Sequence, residues 1–98
     1  MPYEILSQEE QDDIIMSFLL SQERDEYCHQ LNLTRYEQML TVLPDGPWKQ
    51  TITKYRDETN QRLAEVRSII AATQAQLPPA DRKQAAITRV RAKQTPTA

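Results

Sequence analysis

A chain of 98 residues with a single glycine, Gly46, has few backbone geometries open to it. Glycine supplies left-handed turns, tight hairpins and phosphate-cradling loops, because it has no Cβ to clash when φ is positive. One such position cannot serve a meandering sheet or a glycine-rich nucleotide loop. The remaining composition leans on glutamine, alanine, leucine, arginine and glutamate, all good helix formers. The expected fold is all-α: a small helical bundle or helical hairpin with one long helix of about 30 residues and two or three shorter helices.

Capping residues and prolines divide the chain. Ser7 followed by Glu10 is a capping box, which places a helix start there. That first helix is expected to run to about Leu31. At 100° per residue, Ile14, Ile15, Phe18 and Leu19 share one face, whereas Met16, Leu20, Tyr27 and Leu31 form a second stripe roughly opposite. The apolar surface therefore changes sides near Ser21. Either the helix breaks and Ser21 caps a new one, or one helix is buried on two sides by different neighbours. Thr34 with Glu37 has the same capping spacing and predicts a second, short helix through Tyr36, Met39, Leu40 and Leu43. Pro44 stops it, since proline disfavours helical geometry in the residue before it. Pro47 is suited to the first position of the next helix, which runs without internal glycine or proline to about Leu77.

This third helix is expected to dominate, at roughly 45 Å for a rise of 1.5 Å per residue. Trp48, Ile52, Tyr55, Thr59, Arg62, Val66, Ile69 and Thr73 alternate by four and three along it, and Leu63, Ile70 and Leu77 widen the stripe. Two threonines and an arginine in that seam suit a bundle or hairpin better than a two-stranded coiled coil. Pro78-Pro79 ends the helix, and Asp81 with Gln84 resembles a further cap, opening a short basic helix. Residues 1–77 are thus read as a single helical domain. Residues 78–98 are read as a basic segment, a marginal helix followed by a disordered tail from Lys93.

The net charge of −2 hides strong polarity. Residues 1–31 hold eight acids and one base (−7), residues 32–77 hold five acids and six bases (+1), and residues 78–98 hold one acid and five bases (+4). The basic end is expected to dock on an acidic protein surface, such as residues 1–31 of a neighbouring copy. Phosphate binding through Arg82, Lys83, Arg89, Arg91 and Lys93 is the weaker alternative, because no aromatic residue is interleaved with those bases. The longest apolar run, Ile14-Ile15-Met16, is far too short to span a bilayer, and Ile87 and Val90 are too little for a membrane-surface helix. Met1-Pro2-Tyr3-Glu4 lacks the pattern of a signal peptide, and one cysteine excludes an intramolecular disulfide; a cytoplasmic location follows as an expectation.

No constellation for catalysis stands out. Cys28 and His29 are adjacent, but helical neighbours point about 100° apart and cannot act as a nucleophile and its base. Cys28 is read as a small buried or half-buried apolar residue. Glu26 and His29 have the Glu-x-x-His spacing of carboxylate-bridged metal sites in bundles, with Asp25 four residues before the histidine. Facing carboxylates would have to come from Glu58, Glu65 or a second copy. This arrangement resembles small two-helix ferritin-like proteins, which complete an iron site by dimerising; the resemblance covers one short motif and implies a metal only if a matching copy is supplied. An ordinary i,i+4 pair of Asp25 with His29 explains the same residues.

The sequence is therefore read as a non-enzymatic helical interaction module without a cofactor or small-molecule substrate: a structural subunit, adaptor or assembly factor, or a homo-oligomer. Small all-helical chains of this architecture recur as accessory proteins of bacterial and phage machines. The expected partner-binding residues are Trp48, Ile52, Tyr55, Leu20, Tyr27, Arg82, Lys83, Arg89 and Arg91, although aromatics at the spacing of Trp48 and Tyr55 are usually core and these two are anchors only if exposed. The competing readings are the dimer-built metal bundle around Glu26 and His29, and a weak nucleic-acid binder acting through the basic end.

Overall fold

The Ser7 capping box forms as its spacing predicts. The Glu10 amide donates to Ser7 Oγ (3.1 Å), and the Ser7 amide donates to Glu10 Oε1 (3.3 Å). The computed structural model describes residues 5–94, and among them lie three helices and no strand: α1 (Gln8–Val42), α2 (Pro47–Gln74) and α3 (Ala80–Gln94). The chain is all-α. The tail expected from Lys93 begins inside α3, and its last four residues fall outside the described range, as do Met1 to Glu4.

The longest helix is α1, with 35 residues, and not α2, with 28. The expected break before Thr34 is absent, as is the one left open at Ser21. At Ser21 the helix continues, and neither predicted stripe is a buried face as a whole: Ile14 and Phe18 of the first and Tyr27 and Leu31 of the second are exposed. Met16 and Leu19 are buried in a unit made of residues 1–21 and 71–98, and Leu33 is buried in a second unit, residues 22–70. At Thr34 no helix starts. Its hydroxyl donates to the Gln30 carbonyl one turn back (3.0 Å), a bond open to a threonine inside a helix. The spacing Thr-x-x-Glu is compatible with both positions, and uninterrupted helix on either side decides between them.

The real breaks are those set by proline and glycine. The Leu43 amide still donates to the Met39 carbonyl (3.0 Å), and Pro44 prevents a further turn. Gly46 then takes φ of +150°, and its carbonyl accepts the Gln50 amide (3.1 Å), so it caps α2 while Pro47 fills the first helical position. At the far end the Gln76 amide donates to the Thr73 carbonyl (2.9 Å), closing the last turn three residues before the expected Leu77. The cap of α3 also shifts. The Lys83 amide donates to the Pro79 carbonyl (2.8 Å), which leaves Asp81 inside the first turn, where its charge suits the helix dipole.

In the second unit α1 and α2 form an antiparallel hairpin, as a four-residue connection between helices favours. Arg67 reaches Glu26 and Gln30, while Tyr55 packs on Tyr36 with ring centroids 6.0 Å apart, so numbering falls along one helix as it rises along the other. The buried spine of α2 is Ile52, Leu63, Val66 and Ile70, with Thr59 half-buried. The four-and-three alternation is therefore present but turned toward the expected flank. Leu63 and Ile70 are core, whereas Trp48, Tyr55, Arg62 and Ile69 of the predicted seam stand exposed.

Candidate interaction surfaces

In the first unit α3 lies along the opening of α1 in the same sense. Arg82 and Ala85 gather with Gln8, Glu9 and Asp12, and Val90, Lys93 and Gln94 gather with Asp13, Ile14, Ser17, Phe18 and Ser21. Side-by-side helices of the same sense have repelling dipoles. Here acids at the start of α1 (Glu9, Glu10) and bases at the end of α3 (Arg91, Lys93) oppose that repulsion.

Ion pairs dominate the contact. Arg82 Nε donates to Asp12 Oδ2 (3.0 Å), and the Gln8 amide donates to Asp12 Oδ1 (2.9 Å). Asp12 is 2% exposed and both its oxygens are engaged. Arg89 donates to Asp13 through Nε (2.9 Å) and Nη2 (2.7 Å) and approaches Glu9 at 3.5 Å. The hydrogen bond from Arg89 holds the Asp13 carboxyl below its ordinary value, with the charges of Arg89 and Lys93 adding to the shift and partial burial opposing it. The same bond raises Arg89. Apolar support is thin: Ala86 and Val90 are the buried residues of α3.

The basic end is thus neutralised by the acidic start of its own chain. Charge patterning indicated which segments attract each other, and the tertiary fold brings them together within one molecule. Asp12 was not singled out in the sequence, where it is one acid among several. Its spacing of four and three to Met16 and Leu19 was the available signal that it shares their buried side.

Beside α3 runs an open groove of 540 Å³. Its apolar lining includes Ile14 and Phe18, which are 55% and 46% exposed. In the second unit Val42, 79% exposed, closes α1 and Trp48, 66% exposed, opens α2 on the other side of the hairpin turn. Of the residues expected to bind a partner, Trp48, Tyr55 and Tyr27 are exposed and Leu20 is half-buried. Ile52 is a correction, because its side chain is taken up by the hairpin core. Arg82 and Arg89 face Asp12, Asp13 and Glu9, while Lys83 is half-buried and Arg91 exposed.

The residues considered for a metal are placed differently. Glu26 accepts from Arg67 Nε (3.1 Å), Asp25 is exposed and His29 is half-buried. Among the described residues no three His, Cys, Asp or Glu side chains converge. Cys28 is exposed, contrary to its reading as a buried small residue, because it lies away from the face that α1 turns to α2. Among the described residues no helix is long and apolar enough to cross a membrane. No protein-family model matches the chain, and neither a curated protein nor a solved structure matches it.

Proposed function

We propose that this chain is a non-enzymatic helical interaction module, serving as a subunit, adaptor or assembly factor. One observation carries the reading. Among the described residues ten large hydrophobic side chains are at least 40% exposed, against nine buried hydrophobic residues. Single exposed apolar residues are ordinary on any protein surface. Here they gather locally, with Val42 and Trp48 flanking the hairpin turn and Ile14 and Phe18 along one groove. Tryptophan is among the residues that supply most of the energy at protein interfaces, and phenylalanine is enriched at their cores, which gives Trp48 and Phe18 a use that the single chain leaves open. The exposed Cys28 thiol suits a reducing compartment such as the cytoplasm.

The test is capture of interactors by the full chain, with quantification of each retained protein against two variants, Trp48→Ser and Phe18→Ser. Both positions are exposed, so both variants should keep the wild-type helical circular dichroism. The reading expects at least one retained protein, or self-association, to drop by about tenfold or more in one variant, the size of an anchor residue's contribution. Identical retention by all three chains, together with identical monomeric mass, would sink it.

A further inference from the structure

We infer that α3 is an exchangeable strap, and that the acidic opening of α1 accepts the α3 of a second copy of this chain in place of its own. This rests on the reading of the chain as an interaction protein, and it names the partner and the surface.

The first ground is how α3 is held. Three bases meet three acids, and the side chains of Arg82, Arg89 and Lys93 are 45%, 31% and 76% exposed, so water and salt reach the basic member of every pair although Asp12 itself is buried. Pairs of that exposure are individually weak and screened by salt. Ala86 and Val90 add little apolar area, and a 15-residue helix is marginal on its own. A segment with few buried apolar contacts opens locally before the rest of a protein unfolds.

The second ground is the tether. Pro78 is buried and fixes the approach, while Pro79 and Ala80 are exposed and form the pivot. Neither proline can join α3 to α2 as one continuous helix, so α3 remains a separate lever wherever it docks.

Charge identifies the occupant. An undocked α3 uncovers Asp12 and Asp13 beside Ile14 and Phe18, which line the groove along α3. The surface so revealed is acidic with an apolar flank, and it fits a basic amphipathic helix. Within this sequence only residues 78–98 carry such an excess, at +4. A second copy's α3 reproduces every ion pair of the closed chain, since an exchanged element makes the same contacts between molecules as within one. Exposed Ile14 and Phe18, next to the seat of α3, are available to the arriving copy and supply apolar contact that the single chain leaves unused.

Two full-length charge-reversed chains test this. One carries Asp12→Lys and Asp13→Lys, and the other carries Arg82→Glu and Arg89→Glu. Each alone sets like charges against each other within the chain, so neither docks its own α3. In an equimolar mixture, exchange pairs base with acid at both seats. The expected result is a doubling of mass by light scattering, from the 11.4 kDa of one chain, with amide-exchange protection of α3 restored only in the mixture. A mixture that stays at the mass of one chain with α3 unprotected overturns the inference.

Should the reversed chains fail to fold, as judged by circular dichroism, wild-type protein labelled at exposed Cys28 with donor in one batch and acceptor in another gives the answer. Energy transfer that grows with concentration and is abolished by high salt supports exchange, and no transfer at any concentration overturns it. Loss of exchange with retained sensitivity of partner capture to Trp48→Ser would leave the interaction reading standing and remove only the strap.

Discussion

The Asp12–Arg82 pair predicts an asymmetry between two single substitutions. Asp12 is buried, whereas the Arg82 side chain is 45% exposed. Asp12→Ala removes the buried charge and leaves a guanidinium that can turn to water, so the loss is that of ordinary hydrogen bonds, about 1 kcal/mol net. Arg82→Ala does the opposite. It leaves a carboxylate at 2% exposure with one hydrogen bond, from the neutral Gln8 side-chain amide 2.9 Å away, and the more distant charge of Arg89. Stranding a buried charge costs roughly 3–5 kcal/mol when fully enclosed. Removing the arginine opens a path for water, which places the expected cost near the bottom of that range, at about 2–3 kcal/mol. The double variant should resemble Asp12→Ala alone, giving a coupling of about 2–3 kcal/mol, the full cost of Arg82→Ala. Urea unfolding followed at 222 nm measures the global part, and amide exchange along α3 measures any local undocking that the global signal misses. Asp12→Ala costing as much as Arg82→Ala, or additive effects in the double variant, would refute the assignment of the buried charge to Asp12.

Ser7→Ala should cost about 1 kcal/mol, because the Glu10 amide loses its acceptor. Thr34→Ala should be neutral or stabilising by about 0.5 kcal/mol, since alanine is the better residue inside a helix; a loss as large as that at Ser7 would mean that a helix begins at Thr34. For Gly46→Ala the added Cβ meets nothing within 4 Å, so the expected destabilisation of roughly 1–2 kcal/mol, read from the denaturation midpoint, is conformational and comes from the positive φ. Asp13 is held below its ordinary value of 3.8 by Arg89, so its contribution is complete above that pH and is lost as the pH falls through the lowered value. Protection of α3 should therefore decline on acidification below 3.8 in the wild type. Asp13→Asn should lack that part of the acid response, and an unchanged response in the variant would contradict the role given to this pair.

Much of the fold is legible in the residues because it is local. The Ser7–Glu10 box, the stop at Pro44 and the helix start at Pro47 each depend on neighbours within a few positions and appear where the chain predicts them, whereas around Pro78–Pro79 a break forms but α2 ends early, at Gln74, and the cap of α3 moves from Asp81 to Pro79. Thr34 shows the limit. Its spacing to Glu37 fits a cap as well as it fits a helix interior, and the energy separating the two comes from what lies on either side. The change of apolar face near Ser21 was equally ambiguous, because a broken helix and a helix buried on two sides carry the same pattern of residues. The candidate surfaces follow the same division. Exposure of Trp48 and burial of Leu63 differ by a rotation of α2 that periodicity constrains only to within about one residue, and side-chain packing against α1 selects the angle. Opposite charge at the two ends of the chain was visible from the start. That Arg82 and Arg89 satisfy Asp12 and Asp13 of the same molecule was decided only by the turn at Pro78–Pro79, since attraction between charges fixes their signs but not which molecule supplies them.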